Sequence, residues 1–158
     1  MVAEQKEDFM REAIKDAFVG IEDKEGGPFG AVIVKDGKII AKAHNTVLYS
    51  RDPTAHAEVN AIREASKKLG YDMTGCKIYS TTEPCPMCFS AIHWARIGKI
   101  IFGTKIEDVK EIGFNEMTIK NHTLKFLGNL NIEIEGDFLT MECFELLEKY
   151  KTMHGKTY

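Results

Sequence analysis

Two short segments that carry metal-ligand side chains constrain the fold of this chain more than any other feature. The first is His56-Ala57-Glu58 and the second is Pro84-Cys85-Pro86-Met87-Cys88, whose first cysteine lies 29 residues after the histidine. One imidazole, two thiols and a spare carboxylate are the parts of a zinc site with an open coordination position. A chain that uses them together must bring two distant segments side by side.

Both segments stand at predicted helix starts. We expect Thr54 to cap a helix over 55–69. Pro86 falls near the first position of a helix over 85–98, where its missing N–H costs nothing. A predicted strand over 77–81 lies between these helices, and the resulting alternation of helix and strand is typical of right-handed parallel crossovers. Such a crossover would make the two helix N-termini neighbours on one side of a sheet.

The rest of the pattern predicts an α/β fold with a five-stranded mixed sheet. An Asp36-Gly37 pair between two apolar runs is a strong hairpin signal. The other predicted elements are an amphipathic helix over 5–20, hairpin strands over 29–34 and 38–43, strands over 99–102 and 131–135, a short helix near 106–112 and a last helix from 138 to about 153. Residues 104–129 are the least regular part of the chain and a candidate lid.

Length and composition fit one globular domain. A chain of 158 residues with 44% hydrophobic residues can bury one sound core. The net charge of −3 argues against a dedicated nucleic-acid binder. Residues 1–16 mix acids and bases without the apolar core of a signal peptide, so we predict a cytoplasmic protein that does not bind membranes.

Cys76 and Cys143 stand alone in apolar surroundings and are predicted to be buried free thiols.

The metal ligands and the carboxylate predict a hydrolytic centre. A catalytic zinc takes three protein ligands and keeps one position for water, and His56, Cys85 and Cys88 form one of the attested ligand sets. We predict one zinc ion per chain. Two thiolates cancel the charge of the ion, so this site acidifies water less than three histidines would, and it needs a base. Glu58 is predicted to take the proton of the water and to pass protons to a leaving nitrogen.

Other uses of these residues remain open. A lone Cys-x-x-Cys pair also occurs in redox sites and in halves of structural zinc sites. Structural zinc sites close with four ligands, and Cys76 and Cys143 are not placed as a second pair. A zinc-stabilised binding or redox module without turnover would tolerate Glu58→Gln, whereas a hydrolase would not.

The chain resembles the cytidine deaminase superfamily, first its bacterial guanine deaminases and then its tRNA adenosine deaminases. The resemblance rests on Gly26-Gly27-Pro28-Phe29-Gly30-Ala31-Val32-Ile33-Val34, Asp52-Pro53-Thr54-Ala55-His56-Ala57-Glu58, Glu83-Pro84-Cys85-Pro86-Met87-Cys88 and Trp94-Ala95-Arg96. It implies a single three-layer α/β/α deaminase domain over 1–158. It also implies that zinc and Glu58 activate a water that attacks the amino-bearing carbon of a purine base, guanine giving xanthine and ammonia. The alternatives are adenosine to inosine in tRNA, or deamination of cytosine or guanosine.

The same resemblance assigns substrate contacts near the zinc ligands. Phe29 and Trp94 would be aromatic walls around a flat base. Asn45 would hydrogen-bond the base, and Ala57 belongs to the same substrate-binding set. Core packing is the alternative role of the two aromatic residues, and a turn position is that of Asn45.

Two further contacts come from the second half of the chain. Guanine deaminases carry Gly-Phe-Asp-Asp where this chain has Gly113-Phe114-Asn115-Glu116, so a carboxylate is kept at Glu116 and an amide stands beside it at Asn115. The family also ends in a tyrosine, here Tyr158, that reaches the active site of a neighbouring subunit after a domain swap. A flexible tail is the alternative.

The resemblance implies a homodimer, in which 131–158 would be the exchanged segment. The substrate bound in the active site would be a small purine. An anticodon loop is the less favoured partner, because an RNA-binding rim should be basic. The predicted last helix and the tail instead mix glutamates with lysines and contain no arginine.

Overall fold

The computed structural model describes residues 3–158 and shows one sheet with helices on both faces. In chain order the elements are α1 (Ala3–Glu22), β1 (Gly30–Lys35), β2 (Lys38–His44), α2 (Val47–Ser50), α3 (Ala57–Leu69), β3 (Cys76–Thr82), α4 (Pro86–Trp94), β4 (Lys99–Thr104), α5 (Ile106–Glu111), α6 (Asn121–Leu127), β5 (Glu133–Glu135) and α7 (Thr140–Thr152). The predicted hairpin around Asp36-Gly37 is confirmed, since β1 and β2 pair antiparallel.

The five-stranded mixed sheet is also confirmed. Its strand order is β2-β1-β3-β4-β5. Strand β1 is antiparallel to both of its neighbours, whereas β3, β4 and β5 are mutually parallel. Because β3 and β4 are parallel, helix α4 crosses from one to the other, and its N-terminus lies at the carboxyl end of β3.

Alternating side chains of the central strands build two cores, one on each face of the sheet. Ala31 and Ile33 belong to the cluster formed with α3 and α4, whereas Val32 and Val34 belong to the cluster formed with α1 and α7. Strands β3 and β4 divide their buried residues in the same way. This period of two is what a strand covered on both faces requires. The predicted three layers, helices, sheet and helices, follow from it.

Some predicted boundaries are wrong. Thr54 does not cap α3, because its N–H and hydroxyl both bond Asp52 Oδ1, at 2.8 and 2.7 Å. The N-cap is His56, which has extended backbone, so α3 begins two residues later than predicted. Helix α4 ends at Trp94 and not at residue 98, because Arg96 takes a left-handed conformation with φ of 61°.

The C-terminal part shows similar differences. Leu139 is left-handed, with φ of 49°, so α7 cannot extend back to Phe138 as predicted. Helix α6 lies in the part of the chain for which no helix was predicted. Strand β5 is shorter than predicted, and it pairs with β4 of the same chain.

The prediction for the two isolated cysteines is confirmed. Cys76 and Cys143 are buried free thiols. No helix in residues 3–158 is both long enough and apolar enough to cross a bilayer.

Candidate active site

The N-termini of α3 and α4 meet at the carboxyl end of the central strand β3 and bring the three predicted metal ligands together. His56 and Cys85 are the N-cap residues of the two helices, and Cys88 lies in the first turn of α4. The ligand atoms of the three residues all lie within 4.8 Å of one another. In the described part of the chain they are the one group of three such side chains.

The distances between the ligand atoms fit zinc. His56 Nδ1 lies 3.6 Å from Cys85 Sγ and 3.5 Å from Cys88 Sγ. A tetrahedral zinc with Zn–N of about 2.0–2.1 Å and Zn–S of about 2.3 Å requires N···S edges of about 3.6 Å. The donor set of one imidazole and two thiols is also one that zinc prefers over hard cations. The residues present therefore fit a tetrahedral zinc with one free position.

The sulfur atoms are disposed to bind a cation. A hydrogen bond from Cys88, supported by His56, lowers the pKa of the Cys85 thiol to about 4. The same contact with Cys85, together with burial, raises the pKa of Cys88. A metal held by both sulfurs as thiolates would displace the proton that the raised pKa favours on Cys88.

Glu58 lies in the first turn of α3, directed at this site. Its side chain is buried, and Oε1 lies 3.0 Å from Ser80 Oγ. The same hydroxyl makes a 2.6 Å contact with the carbonyl of Thr82, and its single proton cannot serve both oxygens. Burial, followed by the nearby Cys85 sulfur, raises the pKa of the Glu58 carboxyl. A carboxyl in this position can hold a proton and donate it to Ser80 Oγ.

A cavity of about 260 Å³ opens beside the metal ligands. Eight of the predicted site residues line it: Phe29, Asn45, His56, Glu58, Cys85, Asn115, Glu116 and Tyr158. Six residues that the sequence analysis did not single out complete its wall: Pro53, Thr82, Glu83, Met87, Phe114 and Met117. Phe114 and Met117 belong to the loop after α5, so the part of the chain considered as a lid does reach the cavity.

Two predicted substrate contacts are not in the cavity wall. Trp94 is the last residue of α4, and it is 77% exposed and does not line the cavity. The second aromatic wall is instead Phe114, whose ring packs against Phe29 at a centroid distance of 5.2 Å. Ala57 is completely buried in the core between α3 and the sheet. The Gly113-Phe114 pair in the quoted motif was the signal that could have identified Phe114.

The amide of Asn45 has a fixed orientation. Its Oδ1 accepts hydrogen bonds from Gly27 N at 3.3 Å, Val47 N at 3.0 Å and Tyr158 Oη at 2.8 Å. A flipped amide would set its NH₂ group against three donors. The Nδ2 group is buried and has no partner among the described residues. Because a buried donor without a partner is costly, Nδ2 is available for a ligand in the cavity.

Glu116 supplies a carboxylate to the same cavity. Burial, followed by the Cys85 sulfur, raises the pKa of this carboxyl to about 7. Asn45 and Glu116 thus add an amide donor and a carboxyl group to the cavity wall beside the metal ligands and Glu58. A flat ligand in the cavity, packed against the phenylalanine rings that line it, can meet both groups with its polar edges.

Tyr158 reaches the cavity of its own chain. Its hydroxyl donates to Asn45 Oδ1, and its carbonyl accepts from Asn115 N at 3.0 Å. The tail before it folds back over Tyr150, whose hydroxyl donates to the carbonyl of Lys156 at 2.6 Å. The resemblance implied that this tyrosine serves a neighbouring subunit, whereas here the contact is made within one chain.

The comparisons with known proteins agree with this site. The family of the cytidine and deoxycytidylate deaminase zinc-binding region matches residues 3–104, and the chain belongs to that family. It is a hydrolase of the deaminase class, acting on C–N bonds of cyclic amidines. A binding module without turnover has no support from these relatives.

The individual relatives are deaminases of purines. The chain is 50% identical to the guanine deaminase of Bacillus subtilis over 114 residues, which are 72% of this chain and 73% of the relative. It is 46% identical to the tRNA-specific adenosine deaminase of the same organism over 147 residues, 92% of this chain and 88% of the relative. A solved guanine deaminase from Nitrosomonas europaea superposes with a TM-score of 0.83 at 28% identity, covering 91% of this chain and 83% of that one.

Proposed function

We propose that this protein deaminates guanine hydrolytically, giving xanthine and ammonia. One observation carries the proposal: the cavity beside the predicted zinc ligands is lined by Asn45, whose buried Nδ2 donor has no partner among the described residues, and by the carboxyl group of Glu116. Guanine has a carbonyl and ring nitrogens that accept, and ring N–H groups that donate. Its edges can therefore satisfy both side chains at once.

The chain supplies the groups that the reaction needs. His56, Cys85 and Cys88 would hold the zinc, which when bound provides a Lewis acid and acidifies water. Glu58 would take a proton from the water that attacks the ring carbon bearing the amino group. It would then give protons to the amino nitrogen as the C–N bond breaks, so that one guanine and one water become one xanthine and one ammonia. Phe29 and Phe114 would hold the ring flat during these steps.

The position of the tail favours a free base over a nucleoside. The cavity measures about 260 Å³, and Tyr158 is one of the residues that line it. Tyr158 covers part of its wall by bonding Asn45. A ribose attached to the base would need space that the tail occupies in this conformation.

Deamination of adenosine in tRNA is the second candidate, because the tRNA-specific relative is similar to this chain over 92% of its length. The chemistry of the cavity is less suited to it. Adenosine has no ring N–H, so Glu116 in its ionised form would face ring nitrogens that carry lone pairs. The net charge of −3 also provides no general attraction for an RNA backbone.

A panel of substrates tests the proposal. Guanine, guanosine, cytosine, adenine and a tRNA anticodon stem-loop are incubated with the protein, and ammonia release is measured. We expect guanine to react fastest. We also expect Glu116→Gln to raise KM for guanine about 10- to 100-fold, because a hydrogen bond to a charged group is worth about 1.5–3 kcal/mol. Glu111→Gln, a change at an exposed glutamate outside the cavity wall, is the matched control. Reaction of the stem-loop alone would overturn the assignment of guanine.

We also propose that the protein is a cytoplasmic homodimer. Trp94 at the end of α4, and Phe126 and Leu127 on the neighbouring α6, are each more than 70% exposed, which is unusual for side chains of this size. Burial of these side chains against a second copy would remove them from water. Exchange of 131–158 between two copies stays a prediction. Light scattering that gives the mass of a single chain at micromolar concentration would contradict the dimer.

A further inference from the structure

His44, the last residue of β2, lies between two carboxylates. Its Nδ1 is 3.1 Å from Asp16 Oδ2 and its Nε2 is 2.8 Å from Glu25 Oε2. Both contacts can be hydrogen bonds only if both ring nitrogens carry a proton, because neither carboxylate can donate when ionised. The geometry therefore selects the imidazolium form.

The surroundings support that form. The hydrogen bond with Asp16 is the largest cause that raises the pKa of His44 to about 9, and the contact with Glu25 adds to it against the opposing effect of burial. Lys42, Arg63 and Glu64 line the same groove. Lys42 is paired with Glu12 at 3.0 Å.

The imidazolium joins three parts of the chain. Asp16 belongs to α1, Glu25 to the loop between α1 and β1, and His44 to β2. Helix α1 lies directly on the ring, because a Cβ at Gly20 would come within 2.5 Å of His44 Cδ2. Glu25 is held from both sides, since its N–H donates to Gly20 O and its carbonyl accepts from Tyr49 N, each at 2.9 Å.

The residues that follow Glu25 and His44 in sequence are those that meet at the Asn45 amide. Gly26 lies against Asn45 so closely that a Cβ there would come within 2.2 Å of Oδ1. Gly27 N donates to the same oxygen at 3.3 Å. The ion pair between Glu25 and His44 thus joins the two backbone segments that meet at this amide.

We propose that His44, held as an imidazolium between Asp16 and Glu25, is a positioning residue that presents Asn45 Nδ2 to the substrate. It does not touch the cavity, and it acts by drawing the loop of Glu25 against the end of β2. The inference rests on the proposed function only for the choice of guanine as the probe.

Steady-state kinetics of His44→Gln test this role. At pH 7 we expect KM for guanine to rise about three- to tenfold, as for a weakened hydrogen bond, with kcat within about twofold of the wild type. The pKa of His44 lies above its ordinary value, so the imidazolium is complete at pH 7 and is lost as pH rises through about 9. The ratio of the variant KM to the wild-type KM should therefore fall towards one above pH 9, and ionisation of the substrate cancels in this ratio. Lys42→Gln, which removes a neighbouring charge on β2, should show no such change.

A double-mutant cycle with Asn45→Ala separates positioning from general destabilisation. If His44 acts through Asn45, His44→Gln has no further effect on KM in the Asn45→Ala background. Additive effects, or a KM ratio that stays constant from pH 6.5 to 10, would overturn the proposal.

Amide hydrogen exchange at Gly27 needs no substrate, and we expect it to be about tenfold faster in His44→Gln at pH 7. Unchanged exchange there would overturn the proposal even if guanine is not the substrate.

Discussion

Glu58 is the residue on which the chemistry of this site depends most. It is the buried carboxylate nearest the metal ligands, it lines the cavity, and its Oε1 contacts Ser80 Oγ at 3.0 Å. His56, Cys85 and Cys88 are sufficient as ligands, so Glu58 is free to move protons. Replacing Glu58 by a side chain of the same shape that cannot carry a proton separates proton transfer from metal binding.

Glu58→Gln should therefore retain zinc and lose turnover by about 10²–10⁴-fold, which is the usual contribution of a general acid–base group. The amide NH₂ group can donate to Ser80 Oγ in place of the carboxyl group, so the fold should be unaffected. Ammonia release and metal content are measured on the same preparation. Glu64→Gln, on the exposed face of the same helix, is the control and should keep full activity. Undiminished turnover of Glu58→Gln would assign proton transfer to another group.

At the scale of elements, the site depends on close packing of α1 and α3 against opposite faces of one sheet. Helix α1 lies close against β1 at Gly30, where an added Cβ would lie 2.1 Å from the carbonyl oxygen of Ala13. Gly30 also follows Phe29, which lines the cavity. Displacement of α1 would therefore disturb the packing of the core and the position of Phe29 in the cavity wall.

Gly30→Ala should destabilise the protein by about 1–3 kcal/mol, because an extra methyl group forces backbone to move in a packed interior. Gly98→Ala is the matched control. A Cβ at Gly98 meets nothing closer than the carbonyl oxygen of Cys76 at 4.0 Å. We expect the control to change the free energy of unfolding by less than about 0.5 kcal/mol. Equal midpoints of urea unfolding for the two variants would contradict the description of this contact.

The elements that were predicted correctly are those whose signals are local. Asp36-Gly37 between apolar runs determines a hairpin, and Pro86 after a cysteine determines a helix start. Helix α6 was missed because its N-terminus is stabilised from a distance: Asn121 N donates to Glu83 Oε2, 38 residues away, at 2.9 Å. The exposure of Trp94 was missed for a similar reason, since the place where α4 ends depends on the left-handed Arg96.

At the scale of the whole molecule, the site is assembled from nearly the full length of the chain. Asn45, the metal ligands, Glu116 and Tyr158 come from five separate segments and converge on one cavity. The sequence could predict the metal ligands because two of them lie in one motif and the third at a helix start. It could not predict the contact between Tyr158 and Asn45, which joins residues 113 positions apart and depends on how the tail packs.

The zinc content of the purified protein tests the central claim most directly. Metal analysis of protein prepared without chelators should find one zinc ion per chain, and His56→Ala should lower that value. The N···S distances of 3.5 and 3.6 Å are those of a site that closes around such an ion. Protein that contains no metal, with Cys85 and Cys88 both reacting freely with a thiol reagent, would contradict the account.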